Sequence, residues 1–188
     1  MTDTPHGLDV SGQQPDAAPD ALQRLWAPWR YSYVAKPDDT PADKPAGCPF
    51  CVLPAKPASN DAASLILHRG QHNFIMLNAY PYNPGHLMVL PYTHTASLPG
   101  LDDDTATELF QLTRRSVALL ETVLACTGVN LGMNLGAHAG AGIAEHLHLH
   151  AVPRWSGDTN FMTVAGSTRV LPRALDDIYD ELAASFNT

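Results

Sequence analysis

The chain is short of positive charge, of cysteine and of long apolar stretches. Its 188 residues include 11 Lys and Arg against 19 Asp and Glu, a formal net charge of −8. So few cations leave no basic stripe able to neutralise a polynucleotide backbone, which excludes long nucleic acids as expected partners. A small anionic ligand needs only a local site and stays possible. No run approaches the roughly 18 apolar residues of a membrane helix. The opening "MTDTPHGLDVSGQQ" lacks the basic and apolar regions of a signal peptide. Three cysteines, two of them in "CPFC", suit a reducing compartment better than a disulfide framework, so a cytoplasmic location is expected.

What is present organises the chain into three parts. Residues 1–20 are rich in Pro, Asp, Ala and Gln and nearly devoid of large apolar side chains, a composition expected to stay disordered. Residues 21–47 hold an aromatic arm, "LQRLWAPWRYSYV", and a Pro-rich linker. Trp26, Trp29, Tyr31 and Tyr33 are expected to dock on the body or on a second subunit. Residues 48–188 form the expected globular domain, since 45% hydrophobic residues over this length support one sizeable core.

Within that domain, "SLILHRGQHNFIMLNAY" and "HLMVLPYTH" are apolar runs separated by the turn-forming "PYNPG", which predicts antiparallel strands. "DDDTATELFQLTRRSVALLETVLACTG" carries Leu109, Leu112, Leu119, Leu120, Val123 and Leu124 at helical spacing. It opens on aspartates suited to a helix N-terminus and is expected to close at Gly128. "VNLGMNL" and "HLHLHAV" predict two more strands, and a helix after Pro172 places Leu175, Ile178, Leu182 and Phe186 on one face. Strands, a helix and strands again, without regular alternation, predict an α+β fold on an antiparallel sheet with one long and one C-terminal helix.

The chemistry concentrates in "EHLHLHAVPRW". The segment holds three of the nine histidines, and His146, His148 and His150 alternate with Leu147, Leu149 and Ala151. In a strand this alternation puts three imidazoles on one face and the apolar residues toward the core. Three readings are open. The row could be a solvated face, although Thr, Lys and Glu would serve that purpose more naturally. It could hold a metal, because imidazole is a common ligand. Or a neutral histidine could act as a nucleophile while its neighbours orient it and stabilise an anion.

The segment His146 to Val152 resembles the signature of the histidine triad family, and "CPFC", "MLNAYPYNPGHLMVLPYTH" and "NLGAHAGAG" extend the resemblance in order and approximate spacing. The resemblance implies an α+β homodimer with a sheet continuous across its interface. It also implies attack on a nucleotide α-phosphate through a nucleotidyl-histidine intermediate. By position His148 would be the nucleophile, and His150 and His86 would contact phosphate oxygens. Asn78 would bind the ribose, although a turn residue closing a strand would look the same. "NLGAHAGAG" has no P-loop Lys-Ser/Thr, yet its glycines can present backbone N–H groups to phosphate. Asn134, Gly140, Ala141 and Gly142 are the expected contacts there. Many relatives carry Ser or Gln where this chain has Ala141 and Gly142, so one side-chain contact is in doubt.

The resemblance further implies a structural zinc site at Cys48, Cys51, His94 and His146, a closed Cys₂His₂ set. Cys126 reads instead as a core residue. "PRW", with Arg154 and Trp155, and "RLWAPWR" most resemble the bacterial diadenosine tetraphosphate phosphorylase-like branch, in which inorganic phosphate rather than water accepts the AMP. Arg154 would line an anion site, and Trp155 beside the strand end would restrict water. The alternatives are a hydrolase of dinucleoside polyphosphates or nucleoside phosphoramidates, and a non-catalytic, zinc-stabilised nucleotide-binding adaptor.

Overall fold

The computed structural model describes residues 47–159, 162 and 170–186. The expected tail and the aromatic arm, Trp26 to Tyr33 included, lie outside the described residues. A short helix α1 (Pro49–Val52) opens the domain, followed by a 3₁₀ turn (Ala58–Asn60) and α2 (Asp61–Ser64). Strands β1 (Ile66–Arg69), β2 (Asn73–Leu77) and β3 (Leu87–Pro91) precede the long helix α3 (Asp103–Val123). Then come β4 (Gly128–Met133), a 3₁₀ turn (Ala137–Ala139), β5 (Leu149–Arg154) and α4 (Leu175–Phe186). The five strands form one antiparallel sheet in the order β1-β2-β3-β5-β4.

Alternation along the strands divides the interior in two. Ile75, Leu77, Leu87, Val89, Leu149 and Ala151 face α3 and α4 and pack with Leu109, Leu112, Leu120, Ile178, Leu182 and Phe186. Burying each such leucine or phenylalanine contributes about 1.5–3 kcal/mol before the entropy of ordering is set against it. The opposite face carries a smaller cluster of Phe50, Ile66, Phe74, Met76, Met88 and Leu90. Cys126 is buried in the larger cluster, as its sequence context suggested.

The α+β architecture follows the sequence pattern, with three differences. The first apolar run folds into two strands, β1 and β2, because "RGQH" turns the chain. Glu108 holds that turn by accepting hydrogen bonds from the backbone N–H groups of Gln71, His72 and Asn73, each at 2.7 Å. The long helix ends at Val123 rather than near Gly128, since Ala125 turns left-handed at φ 49° and Gly128 already begins β4. Finally, the ladder of β5 starts at Leu149. His146 and His148 therefore lie in an extended lead-in, tied down by the Leu147 N–H donating to Thr95 O at 2.7 Å.

Candidate functional site

At the entrance to β5, Cys48, Cys51, His94 and His146 converge, their ligand atoms all within 4.8 Å of one another. His146, only 1% exposed, donates its Nε2–H to the Pro91 carbonyl at 2.9 Å, which leaves Nδ1 unprotonated and facing the other three residues. From that Nδ1 the distances are 3.4 Å to Cys48 Sγ, 3.5 Å to Cys51 Sγ and 3.3 Å to His94 Nδ1. Cys51 Sγ lies 3.3 Å from His94 Nδ1. An ion bound tetrahedrally by two thiolates and two imidazoles spaces its ligand atoms by about 3.3–3.8 Å, so this donor set fits a metal ion with little movement. The expected four ligands are together, and helix α1 presents both cysteines because Cys48 directly precedes it.

Next along the chain stands His148, 7% exposed. Its Nδ1–H donates to the His146 carbonyl at 2.8 Å, which fixes the tautomer and leaves Nε2 with its lone pair. Phe50, between the two cysteines, packs on both rings at centroid distances of 5.6 Å to His146 and 5.3 Å to His148. The metal-type cluster and the His148 ring therefore share one apolar support. Sequence reasoning passed over Phe50, although its place inside "CPFC" ties it to whatever the cysteines bind.

A second hydrogen-bond chain sets His150. The Tyr82 backbone N–H donates to His86 Nδ1 at 3.2 Å, so His86 carries its proton on Nε2 and donates it to His150 Nδ1 at 2.9 Å. His150 must then keep its own proton on Nε2. Burial first, then the neighbouring histidines, lowers His86 to about 3 and His150 to about 4, and both are neutral near pH 7. The rings of His148 and His150 meet edge to face at 4.8 Å. One imidazole thus offers a lone pair beside another that offers an N–H. His86 is fully buried at 0% exposure and stands behind His150. Gly85 permits it: its φ is +82°, and a Cβ there would lie 2.3 Å from Leu124 Cδ1.

The remaining predicted residues divide by face. Register pairs Gly132 with His150 and Asn130 with Val152, so Asn130, Gly132 and Arg154 share the histidine face. They line a cavity of about 350 Å³ together with Tyr82, Asn134 and His150. Arg154 is engaged by Asp158, with Nε to Oδ2 at 2.5 Å and Nη2 to Oδ1 at 2.9 Å, and Nη1 donates to Asn130 Oδ1 at 2.9 Å. Asn83 joins the same group by donating to Asp158 Oδ2 at 2.8 Å and to Pro153 O at 2.9 Å. Gly140 turns left-handed at φ 87°, and Ala141 and Gly142 continue a loop in which Gly140 and Gly142 are exposed. Asn78 Oδ1 accepts from the Tyr80 N–H at 2.9 Å, the turn-closing role that its sequence context left open.

Trp155 differs from expectation. Being odd-numbered like Leu149 and Ala151, it packs against the helix-side core and donates its indole N–H to the Leu124 carbonyl at 3.3 Å. Together with Leu124 and Arg173 it lines a separate cavity of about 430 Å³ that none of the histidines borders. In this chain it stands on the opposite face of the sheet from His148.

The two clusters and the sheet that carries them define a histidine triad protein. Residues 60–157 match the HIT domain, and the chain belongs to that family. It is 42% identical over 171 residues to an AP-4-A phosphorylase of Mycobacterium tuberculosis, covering 89% of this chain and 86% of that one. It is 30% identical over 95 residues to a bis(5'-nucleosyl)-tetraphosphatase (asymmetrical) of Schizosaccharomyces pombe, covering 50% of this chain and 52% of that one. Among solved structures, a Zn-bound histidine triad family protein from Mycobacterium smegmatis superposes with a TM-score of 0.59 at 26% identity. That match covers 75% of this chain and 94% of the other.

Proposed function

We propose that the protein cleaves diadenosine tetraphosphate by transferring AMP to His148 and then to inorganic phosphate. The observation that carries this reading is the pairing of the His148 Nε2 lone pair with the His150 Nε2–H at one end of a polar cavity. His148 Nε2 attacks the α-phosphorus, an N–P bond forms, and the P–O bond to the triphosphate side breaks, releasing ATP. The His150 N–H stabilises the charge that builds on the phosphoryl oxygen. A phosphate oxygen then attacks the same phosphorus, the N–P bond breaks, and ADP leaves. The likeness to an AP-4-A phosphorylase along 89% of the chain favours phosphate over water as acceptor.

Asn78 and Asn134 are assigned to ribose and phosphate, and the loop of Gly140, Ala141 and Gly142 to phosphate oxygens. For Asn78 this requires exchange of its contact with Tyr80. Cys48, Cys51, His94 and His146 are assigned to zinc, for which two thiolates and two imidazoles are a closed structural shell. When bound, zinc would fix α1 against the lead-in to β5 and so hold Phe50 on His148. The sheet edge β4, with Leu131 at 52% exposure, suits the continuous-sheet homodimer. Unpaired cysteines and the absence of a membrane-spanning helix among the described residues accord with a cytoplasmic protein.

The test is incubation with diadenosine tetraphosphate in the presence and absence of phosphate. ADP and ATP in equal amounts, dependent on phosphate, are expected. AMP and ATP released at the same rate under both conditions would replace this reading with a hydrolase using the same nucleophile.

A further inference from the structure

The cavity beside the histidines has a shape and a charge pattern that AMP transfer alone does not require. On the histidine face of β5 and its lead-in, His148, His150, Val152 and Arg154 follow one another at every second residue. Arg154 therefore stands about 13 Å beyond His150 along the strand, at roughly 3.3 Å per residue. Between them lies the cavity lined by Tyr82, Asn130, Gly132 and Asn134. Its end beside His150 is open because β4 has no side chain there, while Asn130 faces the middle. Gly132 pairs directly with His150, and a Cβ built on it would meet nothing within 4 Å. Its φ is outside the left-handed range, so the backbone accepts any residue, and a larger one would project into the cavity. The far end is marked by a cation: of the five N–H donors of a guanidinium, Arg154 commits two to Asp158 and one to Asn130.

We infer that the trough from Gly132 to Arg154 is a subsite for a phosphate group beyond the one attacked by His148, with Gly132 admitting its length and Arg154 binding its charge. The inference rests on the proposed AMP transfer and deepens it. The phosphate can come from two sources, the distal part of the donor nucleotide or the incoming acceptor. Tyr82, whose ring lies 6.0 Å from that of His150, also lines the trough. Asp158 and Asn130 fix the direction of the half-exposed guanidinium, while Asn83 holds Asp158 in place.

The experiment compares Gly132→Val and Arg154→Gln with the wild type on two AMP donors, diadenosine tetraphosphate and adenosine 5′-phosphoramidate, whose leaving group carries no phosphate. Equilibrium binding of AMP and of adenosine tetraphosphate is measured on the same proteins. Gly132→Val is expected to lower kcat/KM for the tetraphosphate about tenfold or more, and for the phosphoramidate less than about twofold. Arg154→Gln is expected to raise a KM: that of the tetraphosphate if the distal donor phosphates occupy the trough, that of phosphate if the acceptor does. Both variants should weaken adenosine tetraphosphate and spare AMP if the distal donor phosphates occupy the trough, and should raise the KM of phosphate alone if the acceptor does. Equal losses on both donors and both ligands, or no change in any of these affinities and KM values, would overturn the subsite. If Gly132→Val alters folding or assembly, Arg154→Gln decides alone. If the wild type transfers AMP from neither donor, the proposed reaction fails, and the binding ratio still decides whether the subsite exists.

Discussion

The two faces of the sheet are written in the same strands and do opposite work. On the helix side, Leu77, Leu87, Val89 and Ala151 are fully buried, packed on α3 and α4. On the other side, His86, His146, His148 and His150 are packed almost as tightly, but each ring is committed to a named acceptor or donor. Burial serves stability on one face and, at His86 and His150, the neutral state on the other. A histidine removed from water stays neutral, and a neutral histidine with one nitrogen occupied has a defined lone pair on the other. The comparison implies that mutations on the two faces separate into those that unfold the chain and those that silence it.

The largest effect is expected at His148. His148→Ala should lower turnover about a thousandfold or more while nucleotide affinity stays near that of the wild type, because the attacking atom is lost and the surrounding contacts remain. Acid quench during turnover should trap AMP on the wild type and none on the variant. AMP mapped to another residue would break the assignment. On the opposite face, Leu77→Ala should cost about 2–5 kcal/mol of stability by leaving a cavity, with the rate per folded molecule retained. Denaturant melts and active-site titration read the two quantities separately.

The metal cluster stands between these extremes. Purified protein should contain about one zinc per chain. Cys48→Ala should lower the melting temperature before it lowers the rate of AMP transfer, since the cysteine reaches the reacting ring only through Phe50 and His146. A metal content far below one per chain, without exposure to chelators, would break the zinc assignment. His86→Phe sharpens the same boundary. It keeps a buried ring but removes the Nε2–H that fixes His150, so kcat should fall by up to about a hundredfold with KM little changed.

Much of this division was legible in the sequence through alternation alone. "HLHLHAV" gave the two faces and the helical spacing gave the residues of α3 and α4 that meet the core, whereas His94 and His146 joined the cysteine pair only through the resemblance to the histidine triad family. The same alternation separates Arg154 from Trp155: an even residue shares the face of His148 and an odd one leaves it, so the expected shielding role of Trp155 conflicts with its own position. Other features had no local signal. One is the turn before His86, where Leu124, just past the end of α3, leaves no room for a side chain at Gly85. The Asp158, Asn83 and Arg154 group joins residues 75 positions apart, and nothing in either segment names the other.

The smallest effect tests a histidine on the helix face. His68 stacks on Phe186 at 5.7 Å, and Arg115 lies over the same ring, donating to the Phe186 carbonyl at 2.6 Å and approaching His68 Nε2 at 3.4 Å. Burial, and then the Arg115 charge, lowers the His68 pKa, with Glu108 opposing. A lowered histidine is neutral in the folded chain while the unfolded chain already binds a proton, so its share of stability is present above about pH 6.5 and declines as the pH falls below it. His86 and His150 act in the same direction, with the decline extending to about 3 and 4. His68→Gln keeps an acceptor for Arg115 and removes only the charge. The drop in melting temperature between pH 7.5 and 5.5 should therefore shrink by a few degrees in the variant, with turnover at pH 7.5 unchanged. An identical drop in both proteins would show that acid sensitivity belongs to the histidine face alone.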